Sequence, residues 1–279
     1  MHQEVSGRDG EFRFGGDVSL SNLRSIRPDH PLESLYLEDF ALLHRDLALE
    51  LVSWPGIETM VLNGPVTRQA MRQLVNTPSL SQLEVKNIHQ HGRLDGLDIP
   101  TRLASVKIGF GARAKDIFAV AKGKGLAELS LEHSYCSTKA MTALSTLPLL
   151  KTLHLEGAMF TDEHAAALSK SSSIRHLYVQ TTQIGREGLT DLCRMEQLET
   201  LDIWATGVKA EDLALLQDLP NLTDLSVGQF EDEGSLTAED VLPRIAKLKG
   251  VKRIWLDGIT LSQDQKTALQ ERYDHVQFS

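Results

Sequence analysis

One frame dominates this chain: Leu-x-x-Leu-x-Leu, with other aliphatics allowed, repeated along almost its whole length. Clear copies are LESLYL, IETMVL, LSQLEV, LASVKI, LAELSL, LKTLHL, IRHLYV, LETLDI, LTDLSV and VKRIWL. They begin at Leu32, Ile57, Leu80, Leu103, Leu126, Leu150, Ile174, Leu198, Leu222 and Val251, in steps of 25, 23, 23, 23, 24, 24, 24, 24 and 29 residues. A repeat at this period means stacked units, because one such unit cannot bury its own apolar face. Two weaker rungs keep the same phase. Phe12 and Phe14 lie 23 residues before Leu35 and Leu37, and Tyr273, Val276 and Phe278 fill the three apolar slots 22 residues after Val251.

Within each copy the Leu-x-Leu alternation specifies a short strand with its apolar side chains turned inward. The following residues return as a helix. Helical returns are legible in TRQAMRQLVNTP, ARAKDIFAVAKGKG, STKAMTALSTLP, TDEHAAALSKSS, GREGLTDLCRME, KAEDLALLQDLP and TAEDVLPRIAKLKG, several opened by a Ser or Thr cap and closed by Pro or Gly. NIHQHGRLDGLDIPTR, with two glycines and a proline where a helix belongs, reads as a loop. These features resemble the leucine-rich-repeat family, in the variant with a unit of about 24 residues and a full helix per repeat, similar to ribonuclease-inhibitor-like and bacterial repeat proteins. The resemblance covers residues 11 to 279 and implies an α/β fold: a right-handed solenoid, parallel sheet on the concave face and helices on the convex face. Length alone, 279 residues, suggests one or two domains. The repeat instead predicts a single continuous domain: cap and first rung over 1–31, ten clear units over 32–272, and a capping strand over 273–279. At about 4.8 Å per rung, ten strands extend roughly 45 Å.

The chain departs from the family pattern at the turn. Three residues after the last strand leucine, where many repeats carry an asparagine ladder, stand Phe40, Pro65, Ile88, Gly111, Ser134, Ala158, Thr182, Thr206, Phe230 and Ile259. Turn backbones must therefore be satisfied by each other or by water. The 29-residue step leaves an acidic insertion over 229–240, expected to protrude near the strand ends.

Charge narrows the function. Lysine and arginine number 29 against 38 aspartates and glutamates, a net charge of −9, which disfavours nucleic acid and anionic membranes. No apolar run approaches the roughly 20 residues that span a bilayer. The start, MHQEVSGRDGEFRFGG, has no apolar signal core, so a cytoplasmic chain is expected. Cys136 and Cys193 have no metal or redox spacing and suit a reducing compartment.

Each pattern that could bear chemistry also has a plainer explanation. His89 and His91 could share a metal, but two histidines in a polar loop without a companion cysteine or carboxylate pair are more often solvated. Gly109 and Gly111 continue neither as a dinucleotide fingerprint nor as a P-loop, and read as a strand-to-helix turn. The GKG at 123–125 ends a helix. Glu132, His133, His154 and Glu156 could form an acid and base pair, yet on an open sheet they are hydrated and little perturbed. No catalytic residue, cofactor or metal site is assigned.

The strand positions flanking the inward leucines project from one surface, and there the chain concentrates aromatics. Two of three tryptophans, Trp204 and Trp255, fall in these columns. Trp54 sits instead before a proline and is expected to pack across the helix layer. Trp204 joins His154, His176 and Tyr178 in a patch bordered by Glu128, Glu132, Glu156, Gln180, Asp202 and Asp224. An aromatic centre with an acidic surround suits a basic or neutral protein surface. The plainer alternative is that these aromatics stack on one another, or on the insertion after Gln229, merely to cover the sheet. The resemblance implies a non-enzymatic module that binds another protein, as a monomer, and acts as an inhibitor or immunity-type protein. The alternatives are the substrate-recognition part of a bacterial effector or ligase-type enzyme, and self-assembly through exposed terminal rungs.

Overall fold

The computed structural model describes residues 10–16, 19–88, 94–231 and 234–278, with the main chain alone of 5–8. The chain divides into two compact units, one ending at Ser134 and the other starting at Tyr135.

In the first unit, strands β1 (Val5–Arg8), β2 (Glu11–Gly15), β3 (Ser34–Glu38), β4 (Thr59–Asn63), β5 (Gln82–Val85), β6 (Ser105–Ile108) and β7 (Glu128–Leu131) pair in sequence order. All these pairs are parallel except β1 with β2, a hairpin at the edge. Phe12 and Phe14 stand opposite Leu35 and Leu37, so the weak first rung keeps the predicted phase. Helices α1 (Leu20–Ser25), α2 (Arg45–Val52), α3 (Arg68–Leu74) and α4 (Ala114–Val120) form the returns. The stretch after Ile88 carries no helix among the described residues, which here begin again at Leu94. It is tied down by buried Asp116 of α4, whose carboxylate accepts from the amides of Leu94 (2.8 Å), Asp95 (3.2 Å) and Arg113 (3.1 Å). Trp54 is 2% exposed and meets Phe12 edge-on at 5.3 Å.

In the second unit, α5 (Thr138–Ser145) precedes β8 (Thr152–His154), β9 (His176–Tyr178), β10 (Thr200–Asp202), β11 (Asp224–Ser226), β12 (Arg253–Trp255) and β13 (His275–Gln277), all paired in parallel. Leu153, Leu177, Leu201, Leu225 and Ile254 stand in one register column and are completely buried. The returns are α6 (Asp162–Leu168), α7 (Arg186–Leu192), α8 (Ala238–Ile245) and α9 (Gln263–Arg272). One return differs from the predicted α-helix: residues Ala210–Asp218 form a 3₁₀ helix. Its buried apolar residues Ala210, Leu213 and Leu216 recur every third position, the period that a 3₁₀ turn places on one line.

Rung-to-rung hydrogen bonds replace the missing asparagine ladder. The amides of Gly157, Thr181, Ala205 and Gln229 donate to the carbonyls of Gln180, Trp204, Gly228 and Asp257 at 2.9 to 3.1 Å. Thr182 and Thr206 donate their hydroxyls to Val179 and Ile203, the last apolar residue of their own strands, at 2.6 and 2.9 Å. To aim these groups the residue two after that strand position adopts left-handed geometry: φ is +61° at Gly157, +55° at Thr181, +49° at Ala205 and +74° at Gly258. The insertion breaks this pattern. Gln229 is buried there, its Nε2 donating to the carbonyls of Leu236 and Gly258 (3.1 Å each) and its Oε1 accepting from the Leu236 amide (2.7 Å). Phe230, whose counterpart Ile259 is 3% exposed, is thereby left outside and 46% exposed.

Candidate functional site

Parallel pairing without slippage places the flanking residues in the columns expected from the alternation. In the second unit Thr152, His176, Thr200, Asp224, Arg253 and His275 stand side by side, and next to them His154, Tyr178, Asp202, Ser226, Trp255 and Gln277. In the first unit the equivalent face carries both charges in contact: Lys107 pairs with Glu128 at 3.1 Å, Lys86 pairs with Glu84, and Arg13 lies 4.0 Å over the Tyr36 ring. Glu132 belongs to that unit and accepts from the Ser130 hydroxyl at 3.0 Å.

The sheet face of the second unit holds a hollow of about 920 Å³. Its form follows from side-chain size. From the β11 rung the small Ser226 lines it beside Asp224, while the rungs on either side carry Trp204 and Trp255. Of the predicted set, Glu156, His176, Tyr178, Gln180, Asp202, Trp204, Asp224 and Trp255 line it. Two further lining residues, Arg253 and Asp257, stand in the same outward columns on either side of Trp255.

The aromatic side chains are held in place. His154 and Tyr178 stack at 4.2 Å with 4° between their planes. Trp204 meets Phe230 edge-on at 4.8 Å, its Nε1 donates to the Asp257 carbonyl at 3.3 Å, and its amide donates to Asp202 Oδ1 at 3.0 Å. Trp255 sits 5.5 Å from the His275 ring. The aromatics therefore do stack on one another and on the base of the insertion, yet Tyr178, Trp204 and Trp255 all stay partly exposed.

Charge in the hollow is one-sided. Four carboxylates, of Glu156, Asp202, Asp224 and Asp257, face one guanidinium, that of Arg253. Arg253 already grips Asp224 through both branches, with Nη2 at 2.9 Å from Oδ2. Burial alone raises the pKa of Asp224, but Arg253 and the Thr223 hydroxyl outweigh it and hold the carboxyl below its ordinary value. Asp202 is pushed the other way: burial raises its pKa, Glu156 and Asp257 add to the rise, and the hydrogen bonds from the Trp204 amide and the Ser226 hydroxyl only partly offset it. Gln180 donates to Glu156 at 3.3 Å, whereas its Oε1, like Asp257 Oδ1, is buried without a donor among the described residues.

Other chemistry is sparse. Among the described residues no group of three or more His, Cys, Asp or Glu is placed to hold a metal, and no helix is long and apolar enough to cross a membrane. The His89 and His91 pair lies outside the described residues. Cys136 and Cys193 are free thiols whose pKa burial pushes up to about 12.

The crystal structure of an internalin from Listeria monocytogenes shares this architecture: TM-score 0.62 at 16% sequence identity, covering 97% of this chain and 82% of that one. The likeness shows the fold, a leucine-rich-repeat solenoid of parallel strands alternating with helices. No family model and no curated protein matches the sequence.

Proposed function

We propose that this chain is a non-enzymatic binding module that holds another protein, one with a basic surface, against the sheet face of its second unit. The observation that carries this reading is the hollow itself, where three immobilised, partly exposed aromatic rings stand among four carboxylates and one already paired arginine. Aromatic anchors fixed before binding lose little side-chain entropy on association, and a surplus of one charge selects the sign of the partner. The fold adds support, since sheet faces of this width suit a macromolecule better than a small substrate. Binding at such a face occludes the partner, so the reading extends to an inhibitor or immunity-type role, with the chain acting as a monomer in the cytoplasm.

The test is capture from the lysate of the native host, using the wild-type chain beside the double variant Tyr178→Ala, Trp204→Ala, with folding verified by circular dichroism. A protein retained by the wild type and lost by the variant supports the reading. Capture that survives both substitutions overturns the placement of the site.

A further inference from the structure

We infer that the hollow of the second unit receives an arginine side chain of the partner, its guanidinium laid between the Trp204 and Trp255 rings and the carboxylates of Asp202 and Asp257. This deepens the reading of that face as a protein-binding surface and rests on it. Three features of the hollow select this group. The first is charge: with Arg253 committed to Asp224, the remaining carboxylates lining the hollow have no cationic partner there. The second is a shortage of donors. Asp257 Oδ1 and Gln180 Oε1 are buried acceptors without a hydrogen-bond donor among the described residues, and a buried acceptor left unmade carries its full desolvation penalty. The third is shape. The small Ser226 lines the hollow between the rungs that carry the two indoles, and Trp204 is locked by its hydrogen bond to Asp257 and its edge contact with Phe230.

A guanidinium answers all three at once. It is planar, stacks on aromatic faces, stays charged at any physiological pH and presents five N–H donors in a fixed fork. A lysine ammonium is a more strongly hydrated point charge and uses the flat walls less well. The raised pKa of Asp202, caused by burial and increased by Glu156 and Asp257, fits a carboxylate that has no cation paired to it.

The test follows the intrinsic fluorescence of Trp204 and Trp255 while end-capped tetra-arginine is added to the full chain at fixed ionic strength. End-capped tetra-citrulline, the same shape without charge, and L-arginine methyl ester are run in parallel. Tetra-arginine is expected to bind the wild type. Its Kd should weaken at least tenfold in Asp202→Asn, Asp257→Asn and in Trp255→Leu, but less than twofold in the charge-matched pair Glu239→Gln, Glu271→Gln, which lies on exposed positions of α8 and α9. Absence of tetra-arginine binding, equal binding of tetra-citrulline, or equal weakening by the two charge-removing pairs overturns the inference. So does arginine methyl ester binding as tightly as the tetrapeptide, since the occupant is then a small cationic molecule. The two readings separate through capture of the protein partner. Loss with Tyr178→Ala, Trp204→Ala but retention with Asp202→Asn, Asp257→Asn removes only the arginine assignment, while retention with both removes the reading beneath it.

Discussion

The indole of Trp204 donates to the main-chain carbonyl of Asp257, 53 residues further along the chain, at 3.3 Å. The same carbonyl accepts the Gln229 amide at 3.1 Å, so one acceptor joins the turn ladder to the aromatic wall of the hollow. Only a residue without a side chain fits at the rung between them. A Cβ at Gly228 would lie 2.0 Å from the Asp257 carbonyl oxygen and 2.6 Å from Trp204 Cδ1.

Gly228→Ala is therefore expected to displace the indole and to destabilise the second unit by about 2 kcal/mol, as overpacking does. Denaturant unfolding measures the loss, and a shifted tryptophan emission in the native state reports the movement. Wild-type emission together with wild-type stability would show that the rung accommodates the methyl group.

Turn geometry predicts opposite signs for two substitutions at equivalent positions. Ala205 holds φ at +49°, a conformation that disfavours any residue with a Cβ, so Ala205→Gly should raise stability by about 0.5 kcal/mol after the extra chain entropy of glycine is set against the relieved strain. Gly157, with φ at +61°, should lose about 1 kcal/mol on replacement by alanine. Urea midpoints of the two variants measured side by side decide the matter; a shift in the same direction for both contradicts it.

The two aspartates of the hollow should give opposite pH dependences. Asp202 has a raised native pKa, so the stability linked to its proton is complete below the unfolded-state value of about 3.9 and is lost as pH rises through the native value. Asp224 has a lowered native pKa, so its contribution is complete above the unfolded-state value and is lost as pH falls through the native one. Removing the Asp202 charge with Asp202→Asn should hence raise Tm at pH 7 more than at pH 3. Asp224→Asn should lower Tm at pH 7 and matter less at pH 3. Thermal melts across this range test both signs.

Asp116 anchors the helix-free stretch through the amides of Leu94 and Asp95 and also accepts from the amide of Arg113 at the start of its own helix. Asp116→Ala strips those donors of their acceptor and should cost about 3 kcal/mol, given roughly 1 to 3 kcal/mol for each buried group left unpaired. Amide hydrogen exchange at Leu94 and Asp95 should accelerate first. Unchanged protection there would mean that another acceptor takes over.

Much of this molecule was determined by its sequence because repeated apolar spacing allows few solutions. A frame recurring every 23 to 25 residues in eight of its nine steps, with alternating strand positions, sets which residues point in and which point out. Register then follows, since a slip of one residue would turn every leucine to solvent. That is why His176, Tyr178, Asp202, Trp204 and Trp255 could be placed on one face by counting, and why Phe12 and Val276 could be set in their rungs. The 3₁₀ return was not legible in this way, since Leu213, Leu216, Leu219 and Leu222 have the same spacing as Leu189, Leu192, Met195 and Leu198 around the α-helical α7. Tertiary structure decided what depends on volume and on contacts distant in sequence. Spacing cannot show that Gln229 turns inward to bind the insertion and leaves Phe230 beside Trp204, nor that Arg253 is engaged by Asp224 while Asp257 Oδ1 finds no donor among the described residues. Those outcomes arise from packing between rungs 24 to 29 residues apart, where side-chain size and hydrogen-bond satisfaction, rather than periodicity, choose the arrangement.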